Sequence, residues 1–278
     1  MDAFEPFRKD SGIVYPPFSQ MYFEKYFYNY MKAHPDPRYI PVFWTENQIP
    51  VYTRDMHEAR QKAVNTLAND RLYFTVVQHD NGIMGTQLPK TVVFGLGGQG
   101  HIPLPLNYEN PELFKQYRDT PKTLFCSFTG SLTHPCRIQA IKQLHGKPNV
   151  ILTVHAWTDK IPEGNQKAFL ETMSKSRFTL APRGYGKSSF RMYEALELGS
   201  VPVYVYDDLW LPYTELLDWK KMAVLVHVSD LPTLYETLLK ITDKDVEAML
   251  AYYQEHQRLF TFEGMSEYIL AKMATIHS

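Results

Sequence analysis

Between Thr123 and Tyr206 short apolar runs alternate with amphipathic stretches in a strict order that few architectures accept. Thr123–Phe128 predicts a strand, Pro135–Leu144 a helix with Pro135 suited to its first turn, and Val150–His155 a second strand. A helix over Glu163–Lys175, a strand over Arg177–Ala181, a helix over Ser188–Leu198 and a strand over Val201–Tyr206 follow. Strand and helix in turn make right-handed crossovers, and the product is a parallel sheet covered on both faces. The expected class is α/β.

The first third follows the same logic less regularly. Ser19–Ala33, rich in Tyr, Phe and Met and ending before Pro35, predicts a buried helix, and Arg54–Ala68 has helical spacing of apolar residues. Tyr39–Trp44, Leu72–Val77 and Thr91–Phe94 read as strands. The run GLGGQGHIPLPLNYENP after Phe94 breaks both periods, and a boundary is expected near Tyr117–Lys122. A length of 278 residues suits two domains, 1–118 and 119–261. Asp243–Ser278 is helical by pattern, and its last helix, about 262–278, is expected to pack back on the first domain.

Composition narrows the partners. Lys+Arg total 29 against 30 Asp+Glu, a net charge of -1, so no global positive field exists to hold a nucleic acid polymer or an anionic membrane. Any polyanion site must be local. Cys126 and Cys136, without a C-x-x-C pattern, exclude a disulfide framework and suggest no zinc site. Met1–Ser11 is charged and lacks an apolar core, no run is apolar enough to cross a bilayer, and no N-x-S/T site occurs. A soluble, cytoplasmic chain without membrane insertion is the expectation.

The segment FTLAPRGYGKSSFRMYEALELGSVPVYVYDD at Phe178–Asp208 is a strand, a loop, a helix and a strand, with Gly199 suited to the helix C-cap. The loop Pro182–Lys187 falls at the carboxyl end of its strand, where open α/β sheets bind ligands. A helix starting at Ser188 or Ser189 turns its unpaired amides and positive dipole end toward that crevice. Arg183, Lys187 and Arg191 add cations, and no acid in the loop offsets them. This is a way to build a diphosphate site, with Glu194 one turn deeper to accept from a ribose diol. The competing reading makes Ser188 and Ser189 ordinary caps and Glu194 a solvated residue. A similar unit at Thr123–Leu144 releases Thr129, Gly130 and Ser131 from its strand, and Arg137 in the first turn could donate to a phosphate or simply lie on the surface.

Three other motifs have an ordinary structural reading. Gly186, Lys187 and Ser188 end a P-loop pattern, with Asp207 imitating the magnesium aspartate, but the first glycine position holds Ala181 followed by Pro182. Gly95–Gly100 follows a strand as a dinucleotide fingerprint would, yet Pro103 and Pro105 leave no helix after it, so it reads as a loop that comes close to a ligand. The D-x-D at Asp243–Asp245 opens a helix and looks like capping.

FTLAPRG, SSFRMYEAL, GSVPV and LPYTELLDWK, with FTG at Phe128–Gly130 and Arg137 upstream, resemble the exostosin family of glycosyltransferases, and within it the compact, anchor-free xylosyltransferases. The resemblance runs from about Leu124 to the carboxyl terminus and is loose before that. It implies a GT-B architecture, two Rossmann-like domains facing a cleft. It further implies inverting transfer without a metal or other cofactor, from a UDP-sugar to a glycan hydroxyl, with xylose the expected sugar. The diphosphate would meet Arg183, Ser188, Ser189 and Arg191, Glu194 the ribose, and Gly130, Arg137, Pro182 and Lys187 would complete the substrate-binding set. An inverting enzyme also needs a base from the N-terminal domain. Asp80, directly after the strand Leu72–Gln78, is the first candidate, Glu46 the second, with His79 beside them. Asp80 could instead form an Asx turn before Asn81-Gly82. Tyr15, Tyr22, Trp44, Tyr73 and Trp157 are candidates to stack on sugar faces. The alternatives are an ATP-dependent phosphotransferase and a non-catalytic nucleotide-sugar or glycan-binding module.

Overall fold

The computed structural model describes residues 2–9, 12, 15–48, 54–158 and 160–276. Parts of two sequence expectations lie outside them: Met1, Asp10 and Ser11 of the charged amino terminus, and His277 and Ser278 of the last helix. The chain divides into two compact units, one made of 1–15, 19–108 and 258–278, the other of 16–18 and 109–257.

The first unit opens with helices α1 (Phe23–Ala33) and α2 (Arg54–Val64), followed by strands β1 (Tyr73–Val77), β2 (Thr91–Gly95) and the short β3 (Ile102–Pro103). They form a parallel sheet in the order β1-β2-β3, with Tyr73 opposite Thr91 and Val77 opposite Gly95. All five residues of β1 are buried, because both of its faces are covered. Phe74 turns toward Phe27 of α1 at a ring distance of 6.4 Å. On the other face Thr75 accepts from Trp44 Nε1 at 2.8 Å and donates to the Ile40 carbonyl at 2.9 Å. Tyr39–Trp44 is not the expected strand. Tyr39 makes a single parallel bridge to Phe74, Ile40 donates to the Phe74 carbonyl, and Pro41 then has no N–H with which to continue the ladder.

The second unit begins with α3 (Pro111–Lys115) and β4 (Leu124–Gly130), then alternates through α4 (Pro135–Leu144), β5 (Val150–Val154), α5 (Glu163–Ser174), β6 (Ser176–Leu180), α6 (Phe190–Glu197) and β7 (Val201–Tyr206). It closes with β8 (Val224–His227), α7 (Leu234–Lys240) and α8 (Asp243–His256). The five strands are parallel in the order β5-β4-β6-β7-β8. Cys126, Phe128, Phe178, Leu180, Val203 and Val205 of the strands pack with Cys136, Ala140 and Leu144 of α4 and Leu234 and Leu238 of α7. β4 extends through Thr129 and Gly130, which were expected to have left the strand, because its pairing with β5 continues to Gly130 opposite Val154. β8 and α7 carried no strand or helix expectation. β8 is a four-residue strand, and α7 follows a turn of 3-10 helix containing Pro232.

The segment expected to be helical from Asp243 forms two helices. A capping box of Thr242 and Asp245 opens α8, a 3-10 turn spans Gln257–Phe260, and α9 (Phe262–Thr275) starts afresh in the first unit, capped by Thr261. Phe262 of α9 lies 5.2 Å from the rings of Phe23 and Tyr26. Among the described residues no helix is long and apolar enough to cross a membrane.

In the first unit the buried carboxyl of Glu24 is pushed up to about 7 by burial despite accepting hydrogen bonds from Thr45 and Gln78. Its ordinary value is 4.5, so between pH 4.5 and 7 the folded chain holds a proton that the unfolded chain releases. Folding stability therefore falls as pH rises through that window, by roughly 3 kcal/mol from this group. Glu24→Gln is expected to remove that part of the decline, measured as denaturant midpoints of wild type and variant across pH 4.5–8; parallel curves would refute it.

Candidate functional site

β4 and β6 are neighbours at the centre of the second sheet, but the crossover from β4 leads outward to β5 and that from β6 leads the opposite way to β7. The loops that leave their carboxyl ends therefore part, and the gap between them is the crevice where sheets of this order bind ligands. The two loops are residues 131–134 and 181–189.

Two arginines staple these loops from beneath. Arg137, in the first turn of α4, donates through Nη1 to the Ser131 carbonyl at 2.8 Å and through Nε to the Arg183 carbonyl at 3.1 Å. Arg191, 8% exposed in the first turn of α6, donates through Nη2 to the Thr129 carbonyl at 2.6 Å. Its guanidinium lies 4.7 Å above the Phe128 ring. Glycine leaves room beside both. A Cβ on Gly130 would stand 2.6 Å from Arg191 Nη2, and one on Gly184 2.6 Å from Arg137 Nη2. Arg137 and Arg191, expected from sequence to meet phosphate, are thus tied to backbone carbonyls, and Gly130 lies beside the Arg191 guanidinium.

The other two cations are not unopposed, contrary to the sequence reading. Arg183 Nη1 lies 2.7 Å from Asp207 Oδ1, and Lys187 Nζ lies 2.5 Å from Asp208 Oδ2. Both acids come from the end of β7, and the register explains their arrival. Pairing of Leu180 with Val203 continues as Ala181 and Arg183 donate their backbone N–H groups to Val203 and Val205, which brings Asp207 level with Arg183. Partial burial would raise Asp207, but the Arg183 guanidinium holds it below the ordinary carboxylate value. The same pairing disposes of a P-loop, because Ala181 and Arg183 spend on the sheet the N–H groups such a loop would turn toward phosphate.

His134, Cys136 and Asp207 place three ligand atoms within 4.8 Å of one another. They suit a divalent cation poorly. His134 Nδ1 caps the Cys136 N–H, burial pushes the Cys136 thiol up, and the Arg183 guanidinium sits on Asp207.

What faces the crevice as an anion site is the start of α6. Ser189 occupies the N-cap position without its side chain capping the helix, and Ser188 beside it is equally buried. The first-turn amides lack intrahelical partners by the nature of a helix start, and they carry the positive end of its dipole. The Tyr204 hydroxyl accepts from the Trp210 backbone N–H and donates to the Lys187 carbonyl at 2.9 Å, which props the loop in front of them. Pro182 is buried in the strand extension, and Glu194 is buried one turn into α6.

In the first unit, His79 and Asp80 follow β1 and are half-buried. His79 Nδ1 accepts from the Asn81 N–H, the side-chain turn that sequence considered for Asp80, and burial lowers its basicity. Gly97 of the glycine run lies against this strand end, where a Cβ would be 2.6 Å from the Gln78 carbonyl and 2.8 Å from the Asp80 nitrogen. The run therefore closes on backbone. Glu46 is not at a strand end but in the turn after Phe43, 5% exposed. Sequence reasoning missed Glu24 beside it, although the spacing Glu24, Phe27, Met31 puts that acid on the buried stripe of α1. Of the aromatic candidates, Tyr22, Trp44 and Tyr73 are core, Tyr15 is half-buried, and Trp157 is 61% exposed.

Gly130→Ala is expected to force Arg191 off the Thr129 carbonyl and to cost about 1–3 kcal/mol of stability, with weaker binding of UDP. Thermal melting and titration calorimetry of the variant check this; wild-type values for both would show that the close approach matters little.

A family model described as the Exostosin GT47 domain matches residues 85–241. A probable glycosyltransferase of Arabidopsis thaliana is 34% identical over 109 residues, 36% of this chain and 23% of that protein. A probable glucuronosyltransferase of Physcomitrium patens is 31% identical over 102 residues, 37% of this chain and 21% of that protein. An exostosin-1 homolog of Caenorhabditis elegans is 35% identical over 79 residues, 28% and 21% of the two chains. The chain thus spans less than a quarter of the length of these relatives. Among solved structures, WaaG, a glycosyltransferase involved in lipopolysaccharide biosynthesis, aligns over 87% of this chain and 80% of that one with a TM-score of 0.42 and 13% identity. The matched segment takes in more than half of the residues and both loops of the switch point, and the chain belongs to the exostosin GT47 family.

Proposed function

We propose that the protein is a glycosyltransferase that moves a sugar from a UDP-sugar to a glycan hydroxyl with inversion and without a metal. The observation that carries this reading is the start of α6 at the switch point, with Ser188 and Ser189 ahead of its first-turn amides, inside the family-matched segment. A diphosphate leaving group needs positive stabilisation as its bond to the sugar lengthens. The helix start and the loop cations Arg183 and Lys187 supply it, once the diphosphate has displaced Asp207 and Asp208. Glu194 accepts from the ribose, and a carboxylate of the first unit, Asp80 or Glu46, takes the acceptor proton. Xylose is the donor sugar carried from the family resemblance. Glucuronic acid is the rival, because relatives bear the name glucuronosyltransferase.

The decisive experiment is a panel of UDP-sugars, UDP-xylose and UDP-glucuronic acid among them, assayed for UDP release and for labelled product on glycan acceptors, with and without chelator. Turnover of one donor that survives chelation is expected. Full turnover with both Asp80→Asn and Glu46→Gln would remove the base assignment. Glu194→Ala should weaken UDP binding about tenfold, the value of one or two hydrogen bonds. Binding of UDP without transfer would leave a nucleotide-sugar-binding module.

A further inference from the structure

Asp207 stands between two basic side chains and is bonded to one of them. Its Oδ1 lies 2.7 Å from Arg183 Nη1, and its Oδ2 lies 3.7 Å from His134 Nε2, beyond hydrogen-bond reach. The three groups come from the loops that follow β4, β6 and β7, three successive strands of the sheet. The cap at the start of α4 fixes which ring nitrogen of His134 carries the hydrogen. Nδ1 accepts from the Cys136 N–H at 3.3 Å, so the neutral ring bears its hydrogen on Nε2, the nitrogen that faces Asp207. Burial and the Arg183 and Arg137 guanidinium groups keep the ring neutral near pH 7, with Asp207 opposing them. Asp208, the partner of Lys187, is 57% exposed, and water receives it when it is displaced. Asp207 is less open, and a diphosphate that takes Arg183 from it leaves two negative charges side by side, which weakens binding unless a donor takes up the carboxylate.

We propose that His134 is a positioning residue for the diphosphate site: its Nε2–H receives Asp207 when the diphosphate takes Arg183, so the carboxylate changes partner instead of standing unpaired against the ligand. The proposal rests on the reading of the α6 start and the loop cations as a diphosphate site. An approach of about 0.8 Å brings Oδ2 within hydrogen-bond distance of Nε2. Rotation about the aspartate's own side-chain bonds supplies a shift of that size. The exchange moves no proton: Nε2–H donates to Asp207, Nδ1 continues to cap Cys136, and Arg183 passes to the diphosphate. The Cys136 thiol takes no part, because burial pushes it up and it stays protonated. The new bond offsets part of the cost of releasing Arg183, so the resting ion pair can guard that cation without an equal loss of affinity for the diphosphate.

His134→Ser keeps a side chain able to cap α4 and deletes the donor that faces Asp207. Titration calorimetry at pH 8, with UDP and with inorganic pyrophosphate, should show about tenfold weaker binding of both, since the effect lies at the diphosphate and not at the nucleoside. Asp207→Asn has no charge to release and should bind both probes more tightly than wild type, and adding His134→Ser to it should change nothing further. A merely structural role for His134 weakens binding equally in the two backgrounds; that result, or unchanged affinity in His134→Ser, would overturn the proposal. Nitrogen-15 NMR of the wild-type ring should keep hydrogen on Nε2 throughout a pyrophosphate titration, and its transfer to Nδ1 would count against the exchange. Failure of both probes to bind the wild type removes the proposal together with the site. Should UDP bind and no sugar be transferred, the glycosyl-transfer reading alone fails, and the comparison of the two backgrounds still decides the role of His134.

Discussion

The grip of Arg191 on the Thr129 carbonyl is the contact on which the second unit's site depends. It places a cation from the first turn of α6 under the last residues of β4, so the helix start and the neighbouring strand end cannot shift independently. Arg137 makes the complementary tie, from the first turn of α4 to the Arg183 carbonyl in the β6 loop. Each loop of the switch point is thus held by an arginine of the other loop's helix or by one rooted beside it. Gly130 and Gly184 leave the room that these guanidinium groups fill. A phosphate arriving between the loops meets a preorganised surface, and little ordering entropy is left to pay.

Sequence made much of this legible, and the limits of that legibility have physical causes. α4 and β7 fall on the predicted residues, because a proline at a helix start and a short run of Val and Tyr after a helix-ending glycine are local signals. The strand expected at Tyr39–Trp44 failed on the N–H that Pro41 lacks, a local signal outweighed by the apolar run around it. The pairing of Arg183 with Asp207 was out of reach for a different reason. It depends on the register of two strands joined by a whole helix, and no periodicity reports register. Glu24 was hidden in plain sequence, since an acid in a first helical turn is usually a solvated dipole partner.

The resting ion pairs alter how the site should be thought of. Asp207 on Arg183 and Asp208 on Lys187 are half-exposed and modest in strength, yet each occupies a cation that a diphosphate would seek. A diphosphate brings more negative charge than one carboxylate and can engage the helix start at the same time, so exchange favours it. Small anions that cannot span the helix start and a loop cation gain no such advantage. On the proposed function, the pairs would filter ligands by charge and length at the crevice.

The two units solve the same problem with opposite charges. In the second, strand-end loops are fixed by buried guanidinium groups on backbone carbonyls; in the first, by a buried carboxylate on backbone N–H groups. In both, an ionisable group meets partial charges of the chain itself; the guanidinium ties persist over a wide pH range, whereas burial pushes Glu24 up to about 7, so its tie changes as that carboxyl titrates. Burial makes each tie strong for the reason that it makes an unpartnered charge costly: little water is present to compete.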